Sequence, residues 1–317
     1  MNARAPIPLV VVGGYLGAGK TTLLNRLLAH AHGCRIAVLV NDFGAVNIDA
    51  ALVRARSDDV IELENGCICC SIGGRLAEAL VAIAARAQRP DLLVIEASGV
   101  SDPRRIAQVG LLDPAFRLNA VLVAVDATGL HQGLRDPLVG DMVRRQVEGA
   151  SVLALTKADL AGTEAVARAG ATAAVLAPHA TVLTARAGEL PLAVFLDAGV
   201  VPARRGAALA GAPGWQRGAA GAGHAGIRSV AYQTARSFDK VRLRQALATL
   251  PVRLLRAKGL VRLAADPRLH EVHLVGGKMR LGPAGHADFD GSALVFVGAF
   301  DAVAETRLRA CMEAALA

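Results

Sequence analysis

Through the first two hundred residues, short apolar, β-branched runs alternate with stretches whose apolar positions recur at helical spacing. The runs fall near 8–12, 35–41, 60–63, 91–97, 118–125, 151–156 and 181–184. Runs of this length and composition predict strands of a buried parallel sheet. Segments between them, such as Thr21–Leu28, place Leu at helix-like intervals. Strand and helix in alternation predict an α/β layer structure, a parallel sheet with helices on both faces. Between 199 and 228 the pattern gives way to Gly, Ala and Pro, the composition of a linker. From Ser229 it resumes as a strand, a helix over 239–250, strands near 252–264, 271–281 and 293–299, and a helix from Asp301. That is a small α+β unit. The expected domains are therefore 1–198, 199–228 as linker, and 229–317.

The first strand leads into Gly14-Tyr15-Leu16-Gly17-Ala18-Gly19-Lys20-Thr21, a P-loop pattern. Strand, glycine loop and helix start follow in the order a phosphate cradle requires. With no Cβ to obstruct them, the amides of Gly17, Ala18 and Gly19 can wrap a β-phosphate, aided by the positive end of the helix dipole. Gly14 opens the loop and Thr22 follows its hydroxyl position. Lys20 is expected to reach the β- and γ-phosphates, and the Thr21 hydroxyl to sit on Mg²⁺. Only five of the 35 basic residues are lysines, and Lys20 and Lys157 both fall in nucleotide-type motifs. Where Arg is the default cation, a lysine marks a place that needs a compact ammonium.

Two later strands end in candidate chemistry. The run Leu92–Ile95 closes on Glu96, followed by Ala97-Ser98-Gly99. An acid at the carboxyl edge of a parallel strand faces the nucleotide crevice. Glu96 can hold Mg²⁺ through water, orient the attacking water, or simply cap the next turn. The Gly99 amide can sense a γ-phosphate. The run Val152–Leu155 leads into Thr156-Lys157-Ala158-Asp159, which resembles the guanine-specificity element of GTPases with Thr156 in the usual Asn place. Asp159 can accept from the two guanine donors that adenine lacks, and the Lys157 stem can lie along the base. Thr184-Ala185-Arg186 stands where GTPases often make a backbone contact to the base, here through Ala185.

Cys67-Ile68-Cys69-Cys70 places three thiols within four residues, beside Gly66 and ahead of Gly73-Gly74. Three thiolates can turn inward on one soft cation such as Zn²⁺ or Cu⁺, with the fourth ligand a carboxylate, a His, water or a partner. Buried free cysteines or a vicinal disulfide are the alternatives. Cys34 and Cys311 stand alone in apolar surroundings and read as core residues. His270, His273 and His286 could form a second metal site but read better as surface residues, as do His131 and His179.

Composition narrows the field. Aromatics make up only 3% of the 317 residues, so the core must be aliphatic. A net charge of +8 invites a nucleic-acid reading, but the Arg residues are scattered and bases would find few rings to stack on. No nucleic-acid partner is expected. No run reaches the roughly 18 apolar residues of a membrane helix, so no membrane is expected either. Met1–Pro8 leads straight into the first strand without a secretory pattern, and reduced thiols beside a nucleotide site fit the cytoplasm.

Taken in order, GYLGAGKTTLLN, NDFGAVNID, ELENGCICCS, IEASGVSDP and TKAD resemble the CobW-type family of P-loop GTPases. The resemblance is strong over about 8–190 and weaker in the C-terminal part. That family includes zinc metallochaperones, proteins tied to cobalt insertion, nitrile hydratase activators and, more distantly, nickel-insertion GTPases. The resemblance implies a GTPase that uses GTP and Mg²⁺ and carries Zn²⁺, or else Co²⁺ or Fe²⁺, at Cys67, Cys69 and Cys70. It implies a first switch from Asn41 to Asp49, with Asp42 a ligand beside the thiols or a group near the γ-phosphate; a turn residue is the plainer role. Lys20, Glu96 and Asp42 would be the catalytic set, and Thr21 and Glu96 the magnesium ligands. Ala45 stands where a second carboxylate is common, and 206–226 holds one histidine, His224, where many relatives have a histidine-rich loop.

The implied mechanism couples the γ-phosphate to the metal's surroundings and passes the metal to a client metalloprotein docked on the second domain. Pairing of related GTPases across the nucleotide face makes a homodimer a further expectation. Two other classes fit less well: a P-loop ATPase or kinase without metal transfer, and a zinc-stabilised scaffold that binds nucleotide without hydrolysing it.

Overall fold

The computed structural model describes residues 5–30, 34–40, 60–62, 72–196, 214–217, 227–250, 252, 254–284, 291–299 and 301–317. They divide into two compact units, Arg4–Leu196 and Asp197–Ala317.

The first unit is built on seven parallel strands: β1 (Ile7–Gly13), β2 (Ile36–Val40), β3 (Val60–Glu62), β4 (Leu92–Glu96), β5 (Phe116–Asp126), β6 (Val152–Thr156) and β7 (Thr181–Thr184). Their order is β3-β2-β4-β1-β5-β6-β7. β2, β4 and β6 are buried at every residue, as the unbroken apolar runs require. Helices α1 (Lys20–His30), α2 (Ile72–Ala85), α3 (Pro103–Gly110), α4 (Leu130–Arg135), α5 (Gly140–Glu148) and α6 (Ala158–Leu176) fill the crossovers. Leu9, Val11, Leu93 and Ile95 share one core cluster with Leu80, Ile106, Val143 and Ala169 from four of these helices. Strand side chains alternate, so Val10, Val12 and Val94 are buried on the opposite face. There α1 contributes Leu23, Leu24 and Leu27, which are buried apart from that cluster. All seven expected strands are present and parallel.

Topology fixes where a ligand goes. The chain runs from β1 outward to β2 and β3, returns as β4 beside β1, then crosses to β5 on the other side. The switch point therefore lies at the carboxyl end of β1, where open α/β sheets bind ligands. Local chemistry sharpens the elements around it. Asp102 caps α3 by accepting from the Arg104 amide at 2.9 Å, with Pro103 at the first helical position. The helix α6 is broken at Gly162, whose φ of 73° and ψ of 158° are not helical.

In the second unit, strands β8 (Gly214–Arg217), β9 (Ile227–Thr234), β10 (Leu254–Leu263), β11 (Asp266–Val275), β12 (Lys278–Pro283) and β13 (Ser292–Ala299) form an antiparallel sheet in the order β12-β11-β10-β13-β9-β8. Helices α7 (Lys240–Ala248) and α8 (Ala302–Ala314) bury Leu243, Leu247, Leu308 and Met312 with Tyr232, Phe238 and Phe296 of the same core. Asp239 and Asp301 cap these helices through their carboxylates.

Four expectations change here. The single strand expected over 271–281 is two, because Gly276 and Gly277 take φ of 55° and 73° and turn the chain between β11 and β12. The stretch expected as linker contains β8, where Trp215 pairs with Tyr232 of β9. His270 is not a surface residue. It is 4% exposed, with Nε2 3.3 Å from Asp266 and Nδ1 2.9 Å from the Arg268 carbonyl, so its ring nitrogens serve the β10–β11 hairpin end. Cys34 and Cys311 are only partly buried, Cys311 packing at the margin of the second core. His131 and His179 are exposed as expected, and His286 lies outside the described residues.

Candidate functional site

At the carboxyl end of β1 the chain turns through three glycines in the left-handed region: Gly14 at φ 132°, Gly17 at 71° and Gly19 at 90°. Gly14 also passes close under the sheet, where a Cβ would stand 2.5 Å from the Ala124 carbonyl oxygen. The loop thus hugs β5 before opening into α1 at Lys20. Lys20 is 8% exposed, and its ammonium donates to the carbonyls of Gly14 at 3.1 Å and Tyr15 at 3.4 Å. A cavity of about 270 Å³ lies over this turn, lined by Gly17, Gly19, Lys20, Thr21 and Thr22 on one side and by Val40, Glu96 and Gly99 on the other. Leu16, Ala97 and Ser98 line it too and, like Val40, had no expected role; the others were expected in a nucleotide or magnesium role. Ala18 differs. Its amide donates to the Tyr15 carbonyl at 3.0 Å and it does not line this cavity, because the tight loop folds that amide inward.

On the base side, Thr156 is buried with its hydroxyl 2.7 Å from the Ala18 carbonyl oxygen and 3.1 Å from that of Val125. Lys157 follows at φ 54°, and its ammonium lies 2.6 Å from an Asp126 carboxylate oxygen. The other oxygen of Asp126 accepts from the Thr128 amide and hydroxyl at 2.8 and 2.6 Å. Burial pushes the Asp126 carboxyl up, but the hydrogen bonds from Lys157 and Thr128 outweigh it and hold it below the usual carboxylate range. Asp159 is exposed at the start of α6, open to a ligand. Ala185 is buried and its amide donates to the Leu155 carbonyl at 2.8 Å, continuing the β6–β7 ladder. That donor is therefore committed to the sheet, contrary to the expected base contact.

The sheet register lines up the rest. Glu62 pairs with Val40, Val40 with Glu96, and Glu96 with Val12. Four strands thus end abreast, and at about 4.8 Å per strand Glu62 stands about 10 Å from Glu96. Asp42, Cys67, Cys69 and Cys70 lie outside the described residues. Among the described residues no three His, Cys, Asp or Glu side chains group as a metal site. Nor is any described helix long and apolar enough to cross a membrane.

Two residues at this site were not singled out from the sequence. Asp126 was within reach of the rule applied to Glu96, since it too is an acid ending a buried parallel strand. Gln146 was not. It lies on α5, 2% exposed, and its amide nitrogen donates to the carbonyls of Gly99 at 3.0 Å and Ser101 at 2.8 Å. Nothing in a polar position of an amphipathic helix announces that.

Comparison with known proteins agrees with the geometry. Residues 8–184 match the model of the CobW/HypB/UreG nucleotide-binding domain, and 227–316 that of the cobalamin synthesis protein cobW C-terminal domain. Zinc-regulated GTPase metalloprotein activator 1 of Dictyostelium discoideum is 31% identical over 310 residues, covering 83% of this chain and 64% of that protein. Zinc chaperone CobW of Pseudomonas aeruginosa is 33% identical over 228 residues, 62% of this chain and 61% of that one. The matches thus span less than two thirds of these relatives' own length. A crystal structure of Zn(II)-bound YjiA GTPase from E. coli aligns over 98% of this chain and 99% of that one at 22% identity, with a TM-score of 0.46. With the nucleotide-binding model alone spanning more than half of it, the chain belongs to the CobW/HypB/UreG family.

Proposed function

We propose that the chain is a GTP-hydrolysing metallochaperone that binds a transition metal at Cys67, Cys69 and Cys70 and delivers it to a client metalloenzyme. The observation that carries this reading is the alignment of Glu62, Val40, Glu96 and Val12 across four strands. Asp42 follows Val40 by two residues, and Cys67 follows Glu62 by five. Covalent reach keeps them within about 7 Å and about 18 Å of those strand ends. These bounds leave room for the thiols to come near enough to the phosphate cavity for one to influence the other. Zinc is the favoured cargo, since thiolates suit it and two relatives carry zinc in their names. Co²⁺ and Fe²⁺ are the alternatives.

The chain's own groups supply most of the chemistry. The Lys20 ammonium, already at the cavity, neutralises the β- and γ-phosphates of the incoming nucleotide. The amides of Gly17 and Gly19 donate to the phosphate oxygens, and Thr22 stands at the rim. Lys157, held by Asp126, backs the base, and Asp159 discriminates guanine from adenine. Thr21 and Glu96 line the same cavity as Lys20, an oxygen donor set that fits Mg²⁺. Bound there, the ion would supply positive charge to offset that of the phosphates. Glu96 orders water at that end, and the Gly99 amide meets the γ-phosphate. Asp42 and the segment around it respond to the same phosphate and so alter the metal's surroundings. A compartment that keeps thiols reduced, the cytoplasm, suits such a site.

The test is a competition titration of Zn²⁺ and Co²⁺ into the reduced protein, with Mg²⁺ and either GDP or a non-hydrolysable GTP analogue. Metal affinity should differ between the two nucleotides, and the triple substitution of Cys67, Cys69 and Cys70 by Ala should abolish binding. Superimposable curves in the unsubstituted protein would mean that thiols and phosphate are not coupled.

A further inference from the structure

Gln146 sits on α5, yet its side chain reaches the turn that follows β4. Its Nε2 donates to the carbonyls of both Gly99 and Ser101. A primary amide has two N–H groups, so both bonds can exist at once. Reversing the amide would set its oxygen against two carbonyl oxygens, so the donor assignment is forced by chemistry. The turn is held from its other side as well. The Ser101 amide donates to the Ser98 carbonyl at 2.9 Å, and a Cβ on Gly99 would lie 2.9 Å from the Leu16 amide nitrogen. Gly99 therefore rests directly on the phosphate loop while lining the phosphate cavity. Gln146 and Leu16 also line a second cavity of about 290 Å³ with Tyr15, Val143 and Val147, in which no residue of the turn takes part. The two bonds from Gln146 tie the turn to α5.

We propose that Gln146 is a positioning residue for the γ-phosphate: it preorganises the Gly99–Ser101 turn so that the Gly99 amide faces the cavity before nucleotide arrives. This rests on the reading of the cavity as a nucleoside triphosphate site. A diphosphate has no γ-phosphate and makes no use of the turn. Loss of the tether therefore weakens triphosphate binding and turnover selectively. Preorganised donors contribute most where charge must be met without reorganisation at the moment of reaction.

The test uses the full chain with Gln146→Met, which keeps length and apolar stem and removes both donors, and Gln146→Glu, which keeps shape and leaves at most one donor, when its carboxyl is protonated. Mg²⁺-dependent affinities for GDP and a non-hydrolysable GTP analogue are measured beside single-turnover hydrolysis and a thermal melt. Both variants should bind GDP within about twofold of wild type and the analogue about tenfold more weakly, the scale of leaving buried carbonyls without a donor. Hydrolysis should slow in step. Equal losses for both nucleotides would reduce Gln146 to a support of the fold, and unchanged values would leave it idle; either overturns the proposal. A wild-type chain that binds neither nucleotide sinks the site reading and this proposal together. Should the variants not fold, hydrogen exchange of the nucleotide-free wild type decides: the Ser101 amide, which donates within the turn, is protected if the turn is preorganised, and its rapid exchange until the analogue is added contradicts it.

Discussion

The Thr156 hydroxyl lies 2.7 Å from the carbonyl oxygen of Ala18, so the strand that presents Lys157 is tied to the middle of the phosphate loop. Where related GTPases usually carry Asn, this chain keeps a side chain able to hold the loop. The end of β6 and the phosphate loop are thus joined by this bond. Thr156→Val preserves shape and removes the donor, leaving the Ala18 carbonyl without it in a buried position. Such a loss costs about 1–3 kcal/mol. GDP and GTP affinities should fall together by about tenfold or more, while Thr156→Ser stays near wild type. Isothermal titration of both variants checks this, and a Val variant that binds normally would remove Thr156 from the site's architecture.

Asp126 and Lys157 form the second tie. The pair is partly exposed, with side chains 24% and 36% accessible, so screening limits it to about 1 kcal/mol or less. Asp126→Asn should weaken guanine nucleotide binding by no more than about fivefold and leave phosphate-dependent discrimination intact. The sign of the pH effect follows from the lowered carboxyl. Its stabilisation is fully present above the ordinary Asp value and is lost only as pH falls through the depressed one. Nucleotide affinity should therefore show no acid limb from this group at neutral or mildly acidic pH. An NMR titration of the Asp126 carboxyl should move upward in Lys157→Met. An unmoved titration would show that Lys157 is not its partner in solution.

Two loop glycines separate strain from space. Gly14 has both a left-handed φ of 132° and a backbone oxygen 2.5 Å from any Cβ. Gly17 has a left-handed φ of 71° but open space around it. Gly14→Ala must pull the loop off β5, at a cost of about 2 kcal/mol or more, and should abolish nucleotide binding. Gly17→Ala carries only the backbone strain, about 1 kcal/mol, and should bind weakly but measurably. Thermal melts with and without GDP order the two variants, and a reversed order would refute the loop geometry.

Much of this was legible in the chain because its signals are local. Seven strands announce themselves as apolar runs, and the P-loop carries its own context of strand, glycines and helix. Glu96 was found because a strand-end acid in a parallel sheet has one outlook. What escaped depends on pairing across distance. Gln146 acts on residues more than forty positions earlier, and Ala185 loses its amide to a neighbouring strand whose register no single segment reveals. His270 is a local miss: its partners, Asp266 and Arg268, lie only four and two residues earlier on the same strand, and what the spacing did not show is the burial of the ring. The hairpin at Gly276-Gly277 was, by contrast, readable and was missed, since two adjacent glycines between apolar alternations are a turn signal.

Tyr232 offers a pH probe confined to the second unit. It is buried against Phe238, ring centroids 6.2 Å apart, with Glu313 as a charged neighbour. Burial first, and then the Glu313 carboxylate, push its phenol up to about 12. The folded state therefore keeps a proton that the unfolded chain surrenders near pH 10. Below that value the group contributes a constant stabilisation. Above it, stability falls with rising pH until the folded phenol itself ionises near 12. Denaturant unfolding of the full chain, followed at the second unit by Trp215 fluorescence, should show this alkaline decline in wild type and a shallower one in Tyr232→Phe. The difference in phenolate absorbance between the two proteins locates the titration directly. An ionisation near 10 in the folded protein would mean that neither burial nor Glu313 acts on Tyr232 as the structure has it.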